Sequence, residues 1–223
     1  MYKYLLIDCD DTVLDFQSSE RCSIAIVMKN HGIDPTVELI EEYVKLNEAF
    51  WHQYEKGEIS RERLLELRFI QFFQKYNIAV DGAKVNQEYL ETLSNNVYVI
   101  NGIYDVLAYF KHKGYKLYMI TNGVKKTQEK RWHQTDVYKY FDGFYISEDI
   151  GYHKPQKEYF DYVINDIGDF TLNNYLVIGD SIASDIKGAI NYGLDVIWYN
   201  PRRIKSDVKV REINDISEYY KLL

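Results

Sequence analysis

Disulfides, proline-rich linkers and membrane spans all lack their raw material in this chain. Only two cysteines, Cys9 and Cys22, occur among 223 residues. Two thiols in a chain of this size are not a disulfide framework, and they suit a reducing, cytoplasmic setting. Three prolines leave no Pro-rich linker. No apolar stretch approaches the roughly 18 residues of a membrane span, so no membrane partner is expected. The N-terminus runs straight into a strand pattern, without the basic and apolar segments of a secretory signal. Positive charge is also short: 27 Lys and Arg face 34 Asp and Glu, a net charge of −7. Without a basic stripe, nucleic-acid binding is disfavoured, and an anionic substrate would need a local cation. What remains is an ordinary globular composition, 46% hydrophobic, long enough for one domain or one domain plus an insert.

Short apolar runs at Tyr4 to Ile7, Leu117 to Ile120, Gly143 to Ile146, Tyr175 to Ile178 and Val196 to Tyr199 read as buried strands. Polar turns and helical patterns alternate with them, which predicts βαβ units and a parallel sheet covered on both faces. Residues 17–95 hold no convincing strand. They read as four helices near 18–31, 36–56, 60–77 and 83–95, with Ser60 a plausible N-cap and Gly57 a turn residue. The expected layout is therefore a core of 1–16 and 96–223 interrupted by a helical insertion of 17–95.

Open α/β sheets bind ligands beyond the carboxyl ends of their strands, and polar residues collect there. "DCDDT" places Asp8, Asp10 and Thr12 after the first strand. Thr121, Asn122 and Gly123 follow the second, Lys154 the third, and Asp180, Ser181 and Asp185 the fourth. Asp8 and Asp10, two apart on an extended segment, point to one side. With Asp180 they form an oxygen-only set suited to Mg²⁺, with Mn²⁺ an alternative. A carboxylate beside such a metal can attack phosphorus and form an aspartyl-phosphate. The Thr121 hydroxyl and the N–H groups of Asn122 and Gly123 can donate to phosphoryl oxygens, Lys154 supplies charge, and Asp10 is within reach as acid and base.

The order D-x-D-x-T, a strand ending in Thr, Lys-Pro, then G-D-S-x-x-x-D resembles the haloacid dehalogenase superfamily of phosphatases, over essentially the whole chain. The resemblance implies a Rossmann-like three-layer α/β sandwich with a parallel sheet and an inserted α-helical bundle cap. It makes Asp8 the nucleophile, Asp10 the general acid/base, and Thr121 and Lys154 the phosphoryl-binding pair. Asp8, Asp180 and the main-chain oxygen of Asp10 would hold Mg²⁺. Thr12 would orient groups near the nucleophile, and Asp185 would support a metal water or Lys154. "DDTVLDF", "TNGVKKTQEKR", "SEDIGYHKPQKEYFDYV" and "GDSIASDIKGA" are further similar to the bacterial pyrimidine 5′-nucleotidase branch that favours non-canonical nucleotides. That likeness implies a nucleoside monophosphate as the small phosphorylated partner.

Blander readings stand beside these. Asn47, Phe50, Trp51, Tyr54 and Glu55 have helix-face spacing, which is first a packing face, although Phe50 and Trp51 could also stack on a base. Lys56 is either a substrate contact or an exposed lysine, and Phe16 could line a pocket mouth. A sugar-phosphate phosphatase or a phosphomutase would use the same aspartyl-phosphate. A mutase would need extra cations in the insertion, for which Lys45, Lys56 and Arg68 are candidates. A catalytically idle binding module is disfavoured because no catalytic position is degraded. Cys9 is expected to point into the core, and His153 to be a loop residue.

Overall fold

The computed structural model describes residues 2–223. In chain order the elements are β1 (Tyr4–Asp8), α1 (Phe16–Asn30), α2 (Val37–Glu55), α3 (Arg61–Gln74), α4 (Gly82–Asn95), α5 (Ile103–His112), β2 (Lys116–Thr121), α6 (Lys125–Thr135), β3 (Gly143–Ile146), α7 (Ser147–Ile150), α8 (Lys157–Ile167), β4 (Tyr175–Gly179), α9 (Lys187–Tyr192), β5 (Asp195–Tyr199), β6 (Arg211–Ile213) and α10 (Tyr219–Leu222). They divide into two compact units: the residues up to Asp15 with Val99–Leu223, and Phe16–Tyr98. The divisions thus fall one residue before and three residues after the expected 16/17 and 95/96. Phe16 opens α1 and packs against the aromatic core of the helical unit, so its helix, not the preceding loop, decides its unit.

The first unit is a Rossmann-like α/β fold. Its six parallel strands run in the order β3-β2-β1-β4-β5-β6. The apolar runs explain the sheet: Leu5 and Leu6 are completely buried although they point to opposite faces. On one face Leu6, Val177 and Val196 pack with Tyr159, Phe160 and Val163 of α8 and Ala189 of α9. The sixth strand escaped the sequence reading. Arg211, Glu212 and Ile213 offer one apolar side chain in three, as befits a short edge strand guarded by charge.

Strand order reverses at β1, where β2 lies on one side and β4 on the other. Ligand sites form at such a switch point, because loops leave adjacent strands in opposite directions. Asp8 ends β1, Thr121 ends β2, and Asp180 follows β4. The topology alone therefore brings three of the four motifs together.

The second unit is four helices around an aromatic core of Tyr43, Phe69, Phe72, Phe73 and Tyr89. Side chains cap three of the helices: Thr36 accepts from Leu39 N, Ser60 from Arg63 N and Asp81 from Lys84 N. Gly57 turns the chain after α2 with φ of 73°, as its lack of a Cβ permits. Among the described residues no helix is long and apolar enough to cross a membrane.

Candidate active site

Asp8 leaves β1 into a tight loop in which Val13 N and Leu14 N both donate to Cys9 O at 2.9 Å, and Asp11 N donates to Leu14 O at 2.7 Å. Asp11 takes φ of 57°, a left-handed conformation that Asp tolerates better than most residues. The loop turns Asp8 and Asp10 toward the same region and sends Cys9 inward. Cys9 is fully buried and accepts the Trp132 indole N–H at 3.2 Å, and burial raises its thiol pKa further. It is therefore a packing residue, not a nucleophile.

Lys154 is the centre of the site. Its side chain is 2% exposed, and its ammonium donates to Asp8 Oδ1 at 2.6 Å, Asp185 Oδ1 at 2.7 Å and Ile120 O at 3.2 Å. All three protons are used, which is how a buried ammonium becomes tolerable. Burial opposes its charge, but Asp185 and Asp8 more than offset this and hold its pKa well above the usual lysine value. Asn122 fixes the main chain at this point, donating through Nδ2 to Lys154 O at 2.8 Å while Oδ1 accepts from Lys154 N at 2.9 Å. The side chain of Asn122 thus ties the second motif to the third.

Asp185, 1% exposed, has both oxygens engaged: Oδ1 by Lys154 and Oδ2 by Ser181 N at 3.2 Å. It sits where a Cβ on Gly179 would come within 2.4 Å of its carboxylate, so Gly179 makes room for it. Thr121, almost fully buried, accepts from Gly123 N at 3.0 Å and Gln128 Nε2 at 3.1 Å. Its own hydroxyl proton is then the group left to donate. The Gly123 N–H, expected to serve phosphate, is instead taken by Thr121, because α6 begins only at Lys125 and residues 122–124 are loop.

One oxygen from each of Asp8, Asp180 and Asp185 lies within 4.8 Å of the others. Burial pushes the Asp8 carboxyl up to about 8, with Lys154 pulling against it and Asp185 and Asp10 adding to it. Asp180 is raised well above its ordinary value, first by burial and then by Asp11, Asp8 and Asp185, with Arg202 opposing at 3.5 Å. The Lys154 ammonium serves Asp8 and Asp185, and Asp180 has only the longer Arg202 contact, so the cluster is short of close positive charge, and a hard divalent cation fits that deficit. The Thr12 hydroxyl, four residues after Asp8, is buried with no hydrogen-bond partner in the protein. Since Asp185 has both oxygens committed, Asp8 and Asp180 are the carboxylates best placed as ligands.

Sequence reasoning missed two residues that close on Asp10. Arg131 Nη1 donates to Asp10 Oδ1 at 2.6 Å, and Gln128 Nε2 to Asp10 Oδ2 at 2.6 Å. Both sit on α6, whose sequence "KKTQEKRWHQT" reads as a solvated helix. The available signal was Trp132: a lone large aromatic on a charged helix marks its buried face, which Gln128, four residues before it, shares, and Arg131 lies three residues after Gln128 on the same side.

In the helical unit, Asn47, Phe50 and Tyr54 are buried, and Trp51 packs edge-on to Tyr54 with centroids 5.8 Å apart. Lys56 is exposed at the end of α2. Arg68 is buried, donating to Asn47 Oδ1 at 2.7 Å and Asn86 Oδ1 at 2.8 Å, with its guanidinium over Phe69 and Tyr89. Asn47 in turn donates to buried Glu20 at 2.5 Å.

A family model described as haloacid dehalogenase-like hydrolase matches residues 2–193. The chain is 34% identical over 225 residues to the HAD-hydrolase YfnB of Bacillus subtilis, spanning all of this chain and 95% of that protein. A crystal structure of YfnB bound to magnesium matches with a TM-score of 0.93, covering 99% of this chain and 98% of the other. Pyrimidine 5′-nucleotidase PynA of Streptococcus pneumoniae is 32% identical over 222 residues, 100% of this chain and 94% of PynA. Pyrimidine 5′-nucleotidase YjjG of Escherichia coli is 29% identical over 199 residues, 89% of this chain and 86% of YjjG.

Proposed function

The chain belongs to the haloacid dehalogenase-like hydrolases, and on that premise we propose that it is a phosphatase that hydrolyses pyrimidine nucleoside 5′-monophosphates through an aspartyl-phosphate. The observation that carries the phosphatase reading is the buried Asp8–Lys154–Asp185 chain, with Asp10 on the same loop as Asp8. Asp8 attacks phosphorus, the bond to the nucleoside oxygen breaks, and Asp10 protonates that leaving oxygen. Asp10 then takes a proton from water as its oxygen attacks phosphorus and the bond to Asp8 breaks, returning the free carboxylate. Lys154 and the Thr121 hydroxyl stabilise charge on the phosphoryl oxygens. Asp8, Asp180 and the main-chain oxygen of Asp10 would hold Mg²⁺, which when bound supplies positive charge against the phosphoryl group. The four-helix unit would act as the cap that excludes water and selects substrate.

Likeness to PynA and YjjG supports the pyrimidine nucleotide as substrate. The mutase alternative loses one of its three candidate cations, since Arg68 is committed to a buried network of its own. The test is phosphate release from a panel of nucleotides and sugar phosphates, with Mg²⁺ and with chelator, beside Asp8→Asn. Metal-dependent release from pyrimidine monophosphates, lost in the variant, is expected. Release from sugar phosphates alone would keep the mechanism and overturn the substrate.

A further inference from the structure

We propose that Gln128 and Arg131 are positioning residues that hold the Asp10 carboxyl where it exchanges protons with the leaving oxygen and with water. The inference rests on the reading of Asp10 as general acid and base. Asp10 stands on a loop with its side chain 28% exposed, whereas the Arg131 side chain is 1% exposed. Left alone, a short carboxyl at a loop would populate several rotamers. Here each oxygen has its own donor, Arg131 on Oδ1 and Gln128 on Oδ2, both at 2.6 Å. The donors also brace each other, because Arg131 Nη1 donates to Gln128 Oε1 at 2.8 Å. Charge-assisted bonds at both oxygens fix the plane of the carboxyl as well as its place.

A further contact ties α6 to this loop. Trp132, next to Arg131, donates its indole N–H to Cys9, the residue between Asp8 and Asp10. Gly123 is needed for Gln128: a Cβ there would fall 2.3 Å from Gln128 Nε2 and 2.8 Å from its Cγ and Cδ. Gln128 Nε2 also reaches Thr121 Oγ1 at 3.1 Å. One amide thus spans the acid/base and the hydroxyl assigned to the phosphoryl group, fixing their separation. Placement errors of about 1 Å at a reacting group cost roughly 10²-fold in rate.

The test exploits leaving-group chemistry. A nucleoside alkoxide needs a proton to leave, and a para-nitrophenolate does not. Because kcat/KM covers the steps up to formation of the aspartyl-phosphate, it isolates the step in which Asp10 gives its proton. It is measured for wild type, Asp10→Asn, Arg131→Met, Arg131→Lys and Gln128→Leu. The substrates are para-nitrophenyl phosphate and the alkyl monoester that wild type turns over fastest. Arg131→Met and Gln128→Leu are expected to lower kcat/KM for the alkyl ester by about 10²-fold and for the aryl ester by less than about tenfold. Arg131→Lys should recover part of the loss, since an ammonium still reaches one oxygen. Equal losses on both esters would assign these residues a structural role and overturn the inference. A split in Asp10→Asn that is missing in both Met and Leu variants would overturn it alone. No split in Asp10→Asn would remove the acid reading, and the inference with it. Should Arg131→Met fail to fold, Gln128→Leu, which keeps the buried guanidinium, carries the same comparison.

Discussion

Lys154 gives all its ammonium protons to groups inside the protein, so its removal acts on chemistry and stability together. In Lys154→Met, Asp8 and Asp185 would face each other across a hole without a cation. Breaking a buried pair from one side costs about 3–5 kcal/mol. Asp8 can relieve part of that by taking up a proton, since its pKa is already pushed up to about 8 with the lysine present. A protonated Asp8 is no nucleophile. Lys154→Met is therefore expected to stay folded at moderate temperature, with a lower Tm, and to release no phosphate at any pH where wild type is active. Measurable turnover in folded Lys154→Met would contradict the role given to this residue. Asp185 has a quieter counterpart. In Gly179→Ala the new Cβ displaces the Asp185 carboxylate, a buried group that cannot swing into solvent. Overpacking of this kind costs about 1–3 kcal/mol. A fall in both denaturation midpoint and kcat is expected. Full activity with unchanged stability would mean that Asp185 moves aside freely.

At the scale of elements, the helical unit keeps a buried polar network in its core. Arg68 joins Asn47 of α2 to Asn86 of α4 and lies on the rings of Phe69 and Tyr89. Arg68→Met should lower stability by roughly 3 kcal/mol, because both Asn side chains lose a buried partner. Urea denaturation reads this, and a midpoint equal to that of wild type would show the network to be dispensable. The same residue shows where a single sequence stops being legible. Continuous apolar runs exposed five strands, since parallel strands buried on both faces need little else. The acids and Lys154 were legible because several strand ends carry groups that make sense only together. Arg68, Arg131 and Gln128 were not, because a charged or amide side chain on a helix reads as solvated until the partner across the fold is known. Gln128 meets Asp10 across 118 residues of sequence, and no local pattern encodes that meeting. Trp132 was the one local hint that the face of α6 bearing them is buried.

For the molecule as a whole, the site couples stability to pH and to metal. An ordinary aspartate titrates near 3.8, and burial moves Asp8 in the folded chain to about 8. Between those values the folded protein binds a proton that the unfolded chain does not. Stability from this group is therefore complete below about pH 4 and is lost as pH rises through about 8. Asp180, raised in the same direction by burial and by its acidic neighbours, adds to the effect. Lys154 does not cancel it there, because a raised lysine loses its contribution only at higher pH, above its ordinary range. A divalent cation ligated by Asp8 and Asp180 replaces the proton as the source of neutralising charge, and it needs the carboxylates ionised. Metal and proton should thus stabilise the same fold in opposite pH ranges. With chelator present, Tm is expected to fall from pH 5 to pH 8, and to fall less in Asp8→Asn, whose amide does not titrate. Millimolar Mg²⁺ should raise the wild-type Tm more at pH 8 than at pH 5, by binding the folded state alone. Scanning calorimetry of both proteins across this range decides the matter. A metal-free Tm that holds level from pH 5 to pH 8, in wild type and variant alike, would mean that the clustered acids stay ionised without a cation. The charge deficit on which the metal assignment rests would then be absent.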